Sequence, residues 1–299
     1  MFNAKEEQKL HVLSIQSHVV YGYVGNKSAT FPLQLLGFDV DAINSVQLSN
    51  HTGYKVFKGQ VLNAQDLDDL VDGLSTNDLD NYSHLLTGYV GSASFLRRIA
   101  KLIHVLKQKN PDLIYVCDPV MGDNGKMYVP EELKEIYKSD IVPLADIVTP
   151  NQFELEVLTQ KSASTFDELK EGIKELHKMG PKTVVISSTD IDGKLTAIAS
   201  SLNEDSMLKI DIPKIPTSFT GSGDLFAALF LAHYHLQKNI KSAIEIAINT
   251  LHEVLLDTFK NAQAFQDDKV QHARKIELRL IQNKAVIEKP GTKLIAELF

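Results

Sequence analysis

Two glycines, a carboxylate and an apolar run stand together in PTSFTGSGDLFAALFLAH, positions 216–233. Consecutive backbone N–H groups around flexible glycines at a helix start suit a negative oxygen, such as that of a phosphoryl group. A hydroxyl is a poor nucleophile, so a carboxylate within hydrogen-bond reach can take its proton as it attacks phosphorus. Asp224 has the right chemistry for that base, and Gly221, Ser222 and Gly223 for the anion cradle. On these residues alone, Asp224 could equally be a plain helix cap. Other nucleotide-binding schemes are missing: there is no GK[ST] phosphate loop, no HRD or DFG pair, and GYVG at 22–25 has too few glycines for a dinucleotide turn.

The elements that must position such a site are legible as alternating strands and helices. HVLSIQS (11–17), the stretch after Gly37, HLLTGY (84–89), LIYVCDP (112–119 region), ADIVTP (145–150) and KTVVISS (182–188) read as strands. Several are near-continuous apolar runs, as expected where helices cover both faces of a sheet. GKLTAIASS pairs with KTVVISS across a DIDG turn, and SMLKIDIPKI is a further strand. Helices are expected over NKSATFPLQLLG, with Pro32 either starting or kinking it, over QDLDDLVDGL, over SFLRRIAKLIHVLKQK, over 151–159 and 164–179, and from 223 to about 267. ELRLIQNKA near the end reads as one more strand or a helix end. This alternation predicts a three-layer α/β/α sandwich with a mostly parallel sheet. No Pro/Gly/Ser linker or repeat divides the 299 residues, so one domain over 1–299 is expected, with 1–9 as a flexible leader.

Such sheets present ligands at the carboxyl ends of their strands. The polar clusters fall there in series: QSHVVYGYVG, SNHTGY, TGYVG, DPVMGDNGKMYVP, TPNQFE, SSTD and FTGSGD. One connected site explains the series better than unrelated surface loops. A net charge of −7 argues against nucleic-acid or anionic-membrane partners but not against a small anionic substrate held by local amides. The single cysteine, Cys117, excludes an internal disulfide and a thiolate metal cluster, and its apolar neighbours make it a buried thiol. No apolar stretch reaches bilayer length and no secretory core opens the chain, so a cytoplasmic protein is expected.

The stretches SIQSHVVYGYVGNKSATFPLQLLGF, NSVQLSNHTGY, LTGYVG, IYVCDPVMGDNGKMYVP, ADIVTPNQFELE and FTGSGDLFAALFLAH, in this order, resemble the pyridoxal kinases, vitamin B6 salvage enzymes of the ribokinase-like superfamily. The resemblance covers residues 11–233, and TGSGD by itself would indicate the superfamily alone. It implies ATP-dependent phosphorylation of the 5'-hydroxymethyl group of pyridoxal, pyridoxine and pyridoxamine, with Asp224 as base and Gly221–Gly223 as anion hole. Ser222 stands where many relatives have threonine. The vitamer ring would lie near Ser17, Val24, Val46, His51, Thr52 and Tyr89. Phe57 matches a position that holds tryptophan in animal-type members, where it either covers the pocket or anchors a surface loop.

For ATP the resemblance implies Asp118, Asp123, Tyr128, Thr149, Asn151, Glu154, Ser187, Ser188, Phe219 and Thr220, with magnesium at Asp118 and Glu154, directly or through water. The loop between GD and MYVP is shorter than in animal-type enzymes. Lys126 in it reads as a solvated surface residue, and 210–219, stiffened by Pro213 and Pro216, as a lid over ATP. The family also implies potassium activation, a homodimer and cytoplasmic or additionally nuclear residence. A hydroxymethylpyrimidine kinase of thiamine synthesis and a non-catalytic B6-binding protein are the competing readings.

Overall fold

The computed structural model describes residues 10–264 and 271–299. The expected leader at 1–9 and the last residues of the helical stretch ending near 267 lie outside them. In chain order the elements are β1 (His11–Val19), α1 (Asn26–Leu35), β2 (Asp39–Leu48), β3 (Gly59–Val61), α2 (Ala64–Thr76), β4 (His84–Thr87), α3 (Ala93–Lys109) and β5 (Ile114–Cys117). A small hairpin, β6 (Gly122–Asp123) and β7 (Lys126–Met127), and α4 (Glu132–Ile136) lead to β8 (Ile147–Val148), α5 (Gln152–Thr159) and α6 (Phe166–Met179). Then follow β9 (Thr183–Ile191), β10 (Lys194–Ser201), β11 (Leu208–Ile212), α7 (Ser222–Gln237), α8 (Ile240–Gln263), α9 (His272–Lys275), α10 (Lys284–Glu288) and β12 (Glu297–Leu298).

One sheet holds ten of these strands in the order β12–β11–β10–β9–β8–β5–β4–β1–β2–β3. The six from β9 to β2 are parallel, and antiparallel strands flank them on both sides. Helices α2, α3, α5 and α6 cover one face through Leu67, Phe95, Ile99, Leu155 and Leu169. Helices α1, α7, α8 and α10 cover the other through Ala29, Leu33, Leu229, Ile244 and Ile287. This is the expected α/β/α sandwich with a mixed, mostly parallel sheet. Cys117 lies fully buried between the layers, and burial pushes its thiol up to about 12, which keeps it unreactive.

Two hairpins follow directly from turn chemistry. Asp192 and Gly193 (φ 52° and 76°) join β9 to β10, and Asn124 and Gly125 (φ 49° and 75°) join β6 to β7. Positive φ at both central residues gives the turn whose twist suits adjacent strands. Pro32 does not start α1: the helix begins at Asn26, after Gly25, and carries the proline inside it. The tail ELRLIQNKA is neither a strand nor a single helix end. It runs through turns into α10, and the edge strand is formed by β12 instead. Periodicity had no purchase on β3, two residues from a glycine-bounded loop, or on the short helical turns at 132–144.

Helix α7 differs from its neighbours in being apolar all round. Leu225–His233 is buried without interruption, because α7 lies between the sheet, α1 and α8. That packing fixes the rotation of its first turn, where Gly221–Asp224 sit. Leu229→Ala is therefore expected to lower unfolding stability by about 2–5 kcal/mol. Leu236→Ala, at a 43% exposed position of the same helix, should shift it by less than about 1 kcal/mol. Urea unfolding followed by circular dichroism measures both, and equal losses would contradict this packing.

Candidate active site

The carboxyl ends of the parallel strands open into a cavity of about 770 Å³. Its floor at one point is the start of α7. Gly221 precedes that helix with φ 86°, and an added Cβ there would collide with the Tyr23 carbonyl. No side chain caps the helix, so Asp224, its third residue, is not an N-cap. Its Oδ2 instead accepts from the Gly25 N–H at 2.7 Å, across 199 residues of sequence. Gly25 is itself pressed against Ser17, whose backbone an added Cβ would overlap. The base candidate is thus held from outside its own helix, and the first-turn amides of α7 are left without a side-chain partner. Protein crowding raises the Asp224 pKa, while the Gly25 amide opposes that shift.

Asp118 and Glu154 complete an acidic group around this turn. Asp118 ends the strand β5 and is 4% exposed, and Gly223 passes beside its carboxylate. Burial, then Glu154, then Asp224 drive its pKa well above the ordinary range. Glu154 is pushed up to about 8, chiefly by burial, with the amides of Asn151, Met121 and Gly122 pulling the other way. These amides have a structural meaning. Glu154 Oε2 accepts from Asn151 N–H at 2.9 Å, closing a capping box on α5, and Oε1 accepts from Met121 N–H at 2.9 Å. Both oxygens thereby pin the DPVMGD loop to the helix start. Asp118 Oδ2 and the neighbouring Thr149 hydroxyl are different: both are buried and have no hydrogen-bond partner.

An unpartnered buried carboxylate oxygen, with a hydroxyl beside it and two more acids near, fits a hard divalent cation that keeps water and phosphate oxygens as ligands. Among the described residues, no group of three or more His, Cys, Asp or Glu forms a protein-only metal cage. Of the two residues expected at magnesium, Asp118 has a free oxygen and Glu154 has its oxygens engaged by backbone.

The vitamer-side residues converge. Ser17, Val24, Val46, His51, Thr52 and Tyr89 all line the cavity, joined by Val19, Leu48 and Phe57. The β1–β2 register shifts beside Ser17, where Ser45 of β2 is the extra residue: Gln16 faces Asn44 and Ser17 faces Val46. Phe57 is 46% exposed yet faces the cavity, so its loop is part of the wall. His51 has no spare ring nitrogen: Nδ1 accepts from Gly53 N–H at 3.1 Å, and Nε2 lies 3.3 Å from Glu277 Oε1.

On the other side, Asp123, Tyr128, Asn151, Ser187, Ser188, Phe219 and Thr220 line the cavity as expected, while Thr149 sits just behind it. Asn151 is committed to structure, capping α5 through Oδ1 and donating to the Gly122 carbonyl from Nδ2 at 2.8 Å. Asp123 is held by the backbone and side chain of Asn124, and burial raises its pKa. Lys126 is exposed, but it also lines the cavity, and among the described lining residues it alone is a lysine or arginine. Ile212, Pro213, Ile215, Thr217 and Phe219 line the cavity together with Ile248, Leu251, His252 and Leu255 of α8, and His252 Nε2 lies 3.2 Å from the Pro213 carbonyl oxygen. Sequence reading missed those α8 residues and Glu277. The former carry only an ordinary helical apolar stripe, and the latter is a lone acid in a tail without motif.

Residues 40–267 match the family model described as phosphomethylpyrimidine kinase. The chain is 51% identical over 293 residues to a pyridoxal kinase of Arabidopsis thaliana, covering 96% of this chain and 94% of that one. It is 46% identical over 302 residues to a pyridoxal kinase of Homo sapiens, covering 95% and 97%. The solved pyridoxal kinase from Leishmania donovani, in complex with ADP and pyridoxine, superposes with a TM-score of 0.89 at 35% identity, over 97% of this chain and 99% of that one.

The acidic group sets a pH dependence whose sign is fixed. Raised pKa values for Asp118, Glu154 and Asp224 mean that the fold favours their protonated forms. That stability is complete below the ordinary values of 3.8 and 4.5 and is lost as pH rises through the raised values, which for Glu154 is about 8. Metal-free, nucleotide-free protein should therefore melt lower at pH 8 than at pH 5.5. Asp118→Asn should melt about 2 °C higher than the parent at pH 8, as expected for roughly 1 kcal/mol in a chain of this size. Differential scanning fluorimetry would show this, and a lower melting point for the variant would contradict it.

Proposed function

Since the chain belongs to the pyridoxal kinase family, we propose that it transfers the γ-phosphoryl group of ATP to the 5'-hydroxymethyl oxygen of pyridoxal, giving pyridoxal 5'-phosphate and ADP. Pyridoxine and pyridoxamine carry the same hydroxymethyl group and are accepted too, in keeping with the Leishmania donovani complexes that hold each of them with ADP. The observation that carries this reading is the place of Asp224. It stands where the apolar-walled pocket of Val24, Val46 and Tyr89 meets the uncapped start of α7 and the acids Asp118 and Glu154.

In the mechanism, the flat vitamer ring packs against Val24, Val46 and Tyr89, with Phe57 at the rim and Ser17 and Thr52 bonding its polar atoms. His51, with both nitrogens engaged, orients the Thr52–Gly53 backbone. ATP enters with its base between the 212–219 wall and Leu251 and Leu255, so that 210–219 closes over it as a lid and Phe219 covers the base. Ser187, Ser188, Asp123, Tyr128, Asn151 and Thr220 frame the phosphates. Asp224 takes the proton from the hydroxymethyl oxygen as that oxygen attacks in line, and no phosphoenzyme forms. The amides of Gly221, Ser222 and Gly223 and the α7 dipole stabilise charge on the group in transit. Asp118, with the Thr149 hydroxyl beside it and Glu154 through water, would hold Mg2+, which would supply charge neutralisation at the phosphates. Potassium serves as a monovalent activator.

Two further readings are weaker. A hydroxymethylpyrimidine kinase would share this mechanism, and the matched family model bears that name. Half-identity to pyridoxal kinases across nearly the whole chain favours the B6 vitamer. A non-catalytic B6-binding protein would have no use for a carboxylate aligned by Gly25 at an open helix start. One kinase domain spans the chain. No helix among the described residues is long and apolar enough to cross a membrane, and cytoplasmic residence, with nuclear residence as an addition, rests on the family resemblance alone. A homodimer is supported by the exposed Val20, Val56 and Val61 around the free β3 edge.

The direct test offers pyridoxal and hydroxymethylpyrimidine separately to purified protein with MgATP and potassium and identifies products by mass. Efficient pyridoxal phosphorylation with little pyrimidine product is expected, and the reverse preference would overturn the substrate. Asp224→Ala should reduce kcat at least ~10²-fold, the usual size of a general-base effect. In the parent enzyme, rate should fall with acid as Asp224 protonates, with that limb above the ordinary aspartate value of 3.8. An unchanged kcat in the variant would remove the base role.

A further inference from the structure

Glu277 comes from the turn after α9, far along the chain from every motif of the site, yet its carboxylate lies between the two loops that wall the vitamer side. Oε2 accepts from the Tyr23 N–H at 3.0 Å, across 254 residues of sequence. Oε1 accepts from the Tyr54 hydroxyl at 2.9 Å and faces His51 Nε2 at 3.3 Å. The Glu277 side chain is 11% exposed and that of His51 6%. Gly22 (φ 95°) runs directly against the carboxylate, and a Cβ added there would overlap it. This is a built site for a buried anion, and all its donors belong to one of two loops.

Those loops carry the substrate wall. Tyr23 precedes Val24, a wall residue, and Gly25, whose N–H aligns Asp224. His51 and Tyr54 bracket Thr52 and Gly53, which also line the cavity. Because His51 Nδ1 accepts from Gly53 N–H, its ring proton is on Nε2 and points at Glu277. Tyr23 and Glu277 both lie outside residues 40–267, the part shared with the phosphomethylpyrimidine kinase model. The latch therefore joins residues on both sides of that boundary, since its other two members, His51 and Tyr54, lie inside it.

Resting on the kinase reading above, we propose that Glu277 is a positioning residue that fastens the 20–25 and 50–54 loops into one rigid vitamer pocket and, through Gly25, sets the aim of Asp224. A carboxylate can accept on both oxygens. Glutamine cannot: its amide N–H2 would confront either the Tyr23 N–H or the Tyr54 and His51 donors. Loss of charge-assisted bonds in a buried place is sizeable, and here it falls on the vitamer loops and spares the nucleotide walls.

The experiment is steady-state kinetics on the parent, Glu277→Gln and Tyr54→Phe, varying pyridoxal and ATP separately. For Glu277→Gln the KM for pyridoxal should rise about tenfold and kcat fall severalfold, with the KM for ATP within about twofold. Tyr54→Phe, which removes one donor and keeps the carboxylate, should raise the pyridoxal KM about threefold with the same selectivity, and it carries the test if the glutamine variant does not fold. A merely structural role would lower the active fraction, and so kcat, without moving either KM. An unchanged pyridoxal KM, or equal rises in both KM values, overturns the latch. If the parent itself ignores pyridoxal and phosphorylates hydroxymethylpyrimidine, the substrate reading fails, and the same selectivity measured on the pyrimidine KM decides the latch independently.

Discussion

Three carboxylates gathered at one end of a sheet form the constraint around which this protein is arranged. Burial raises the cost of charging Asp118, Glu154 and Asp224, and at Asp118 the other two carboxylates add to it. A chain that needed only stability would not keep them there, since like charges in a low-dielectric pocket oppose folding. On the reading proposed above, a divalent cation placed between these acids and a polyphosphate would offset the charge of both.

Holding that arrangement falls to the backbone more than to side chains. Gly221 and Gly25 bring strands of chain closer to one another than any Cβ would permit, and the Gly25 N–H is thereby delivered to Asp224. Glu154 shows the complementary device. Its charge is distributed over the amides of Met121 and Asn151, so it sets the shape of the DPVMGD loop while still adding negative potential to the site. Asp118 receives no such help, and its free oxygen is where the electrostatic demand is greatest. The same family of motifs thus divides between one acid that builds the pocket and one that is left to meet its contents.

Much of this was legible in the sequence because it rests on local chemistry. Alternating apolar runs and amphipathic helices gave the layered sheet, since covered parallel strands and helices impose distinct periods. The turn residues Asp192–Gly193 gave the β9–β10 hairpin, whereas the one at Asn124–Gly125 was read only as a loop. Glycines beside an acid marked the helix start at 221–224. What could not be read was set by distance along the chain. Whether Asp224 caps its own helix or bonds elsewhere depends on Gly25, 199 residues away. The nucleotide-side wall on α8 looks in sequence like any buried stripe, and Glu277 has no pattern around it. The tail misled for a related reason: ELRLIQNKA has strand-like apolar spacing, but its register is decided by α8, where Thr258 and Asp257 take the backbone and side chain of Arg279.

The position of these long-range contacts says how one mechanism can serve different substrates. The base, the anion cradle and the acids at Asp118 and Glu154 all fall within 40–267, the stretch shared with phosphomethylpyrimidine kinases. A phosphoryl group in transit makes the same demands whatever ring bears the acceptor oxygen, so those residues have little freedom. The acceptor ring is different chemistry, and part of its pocket is shaped from outside that stretch, by Ser17 and Val24 near one end of the chain and by the Glu277 carboxylate near the other. Tyr23 and Gly25 are two residues apart, so on the reading proposed above the segment that shapes the ring pocket would also aim the base. Substrate fit and proton transfer would then be coupled mechanically, and a ring that seats poorly would react slowly as well as bind weakly.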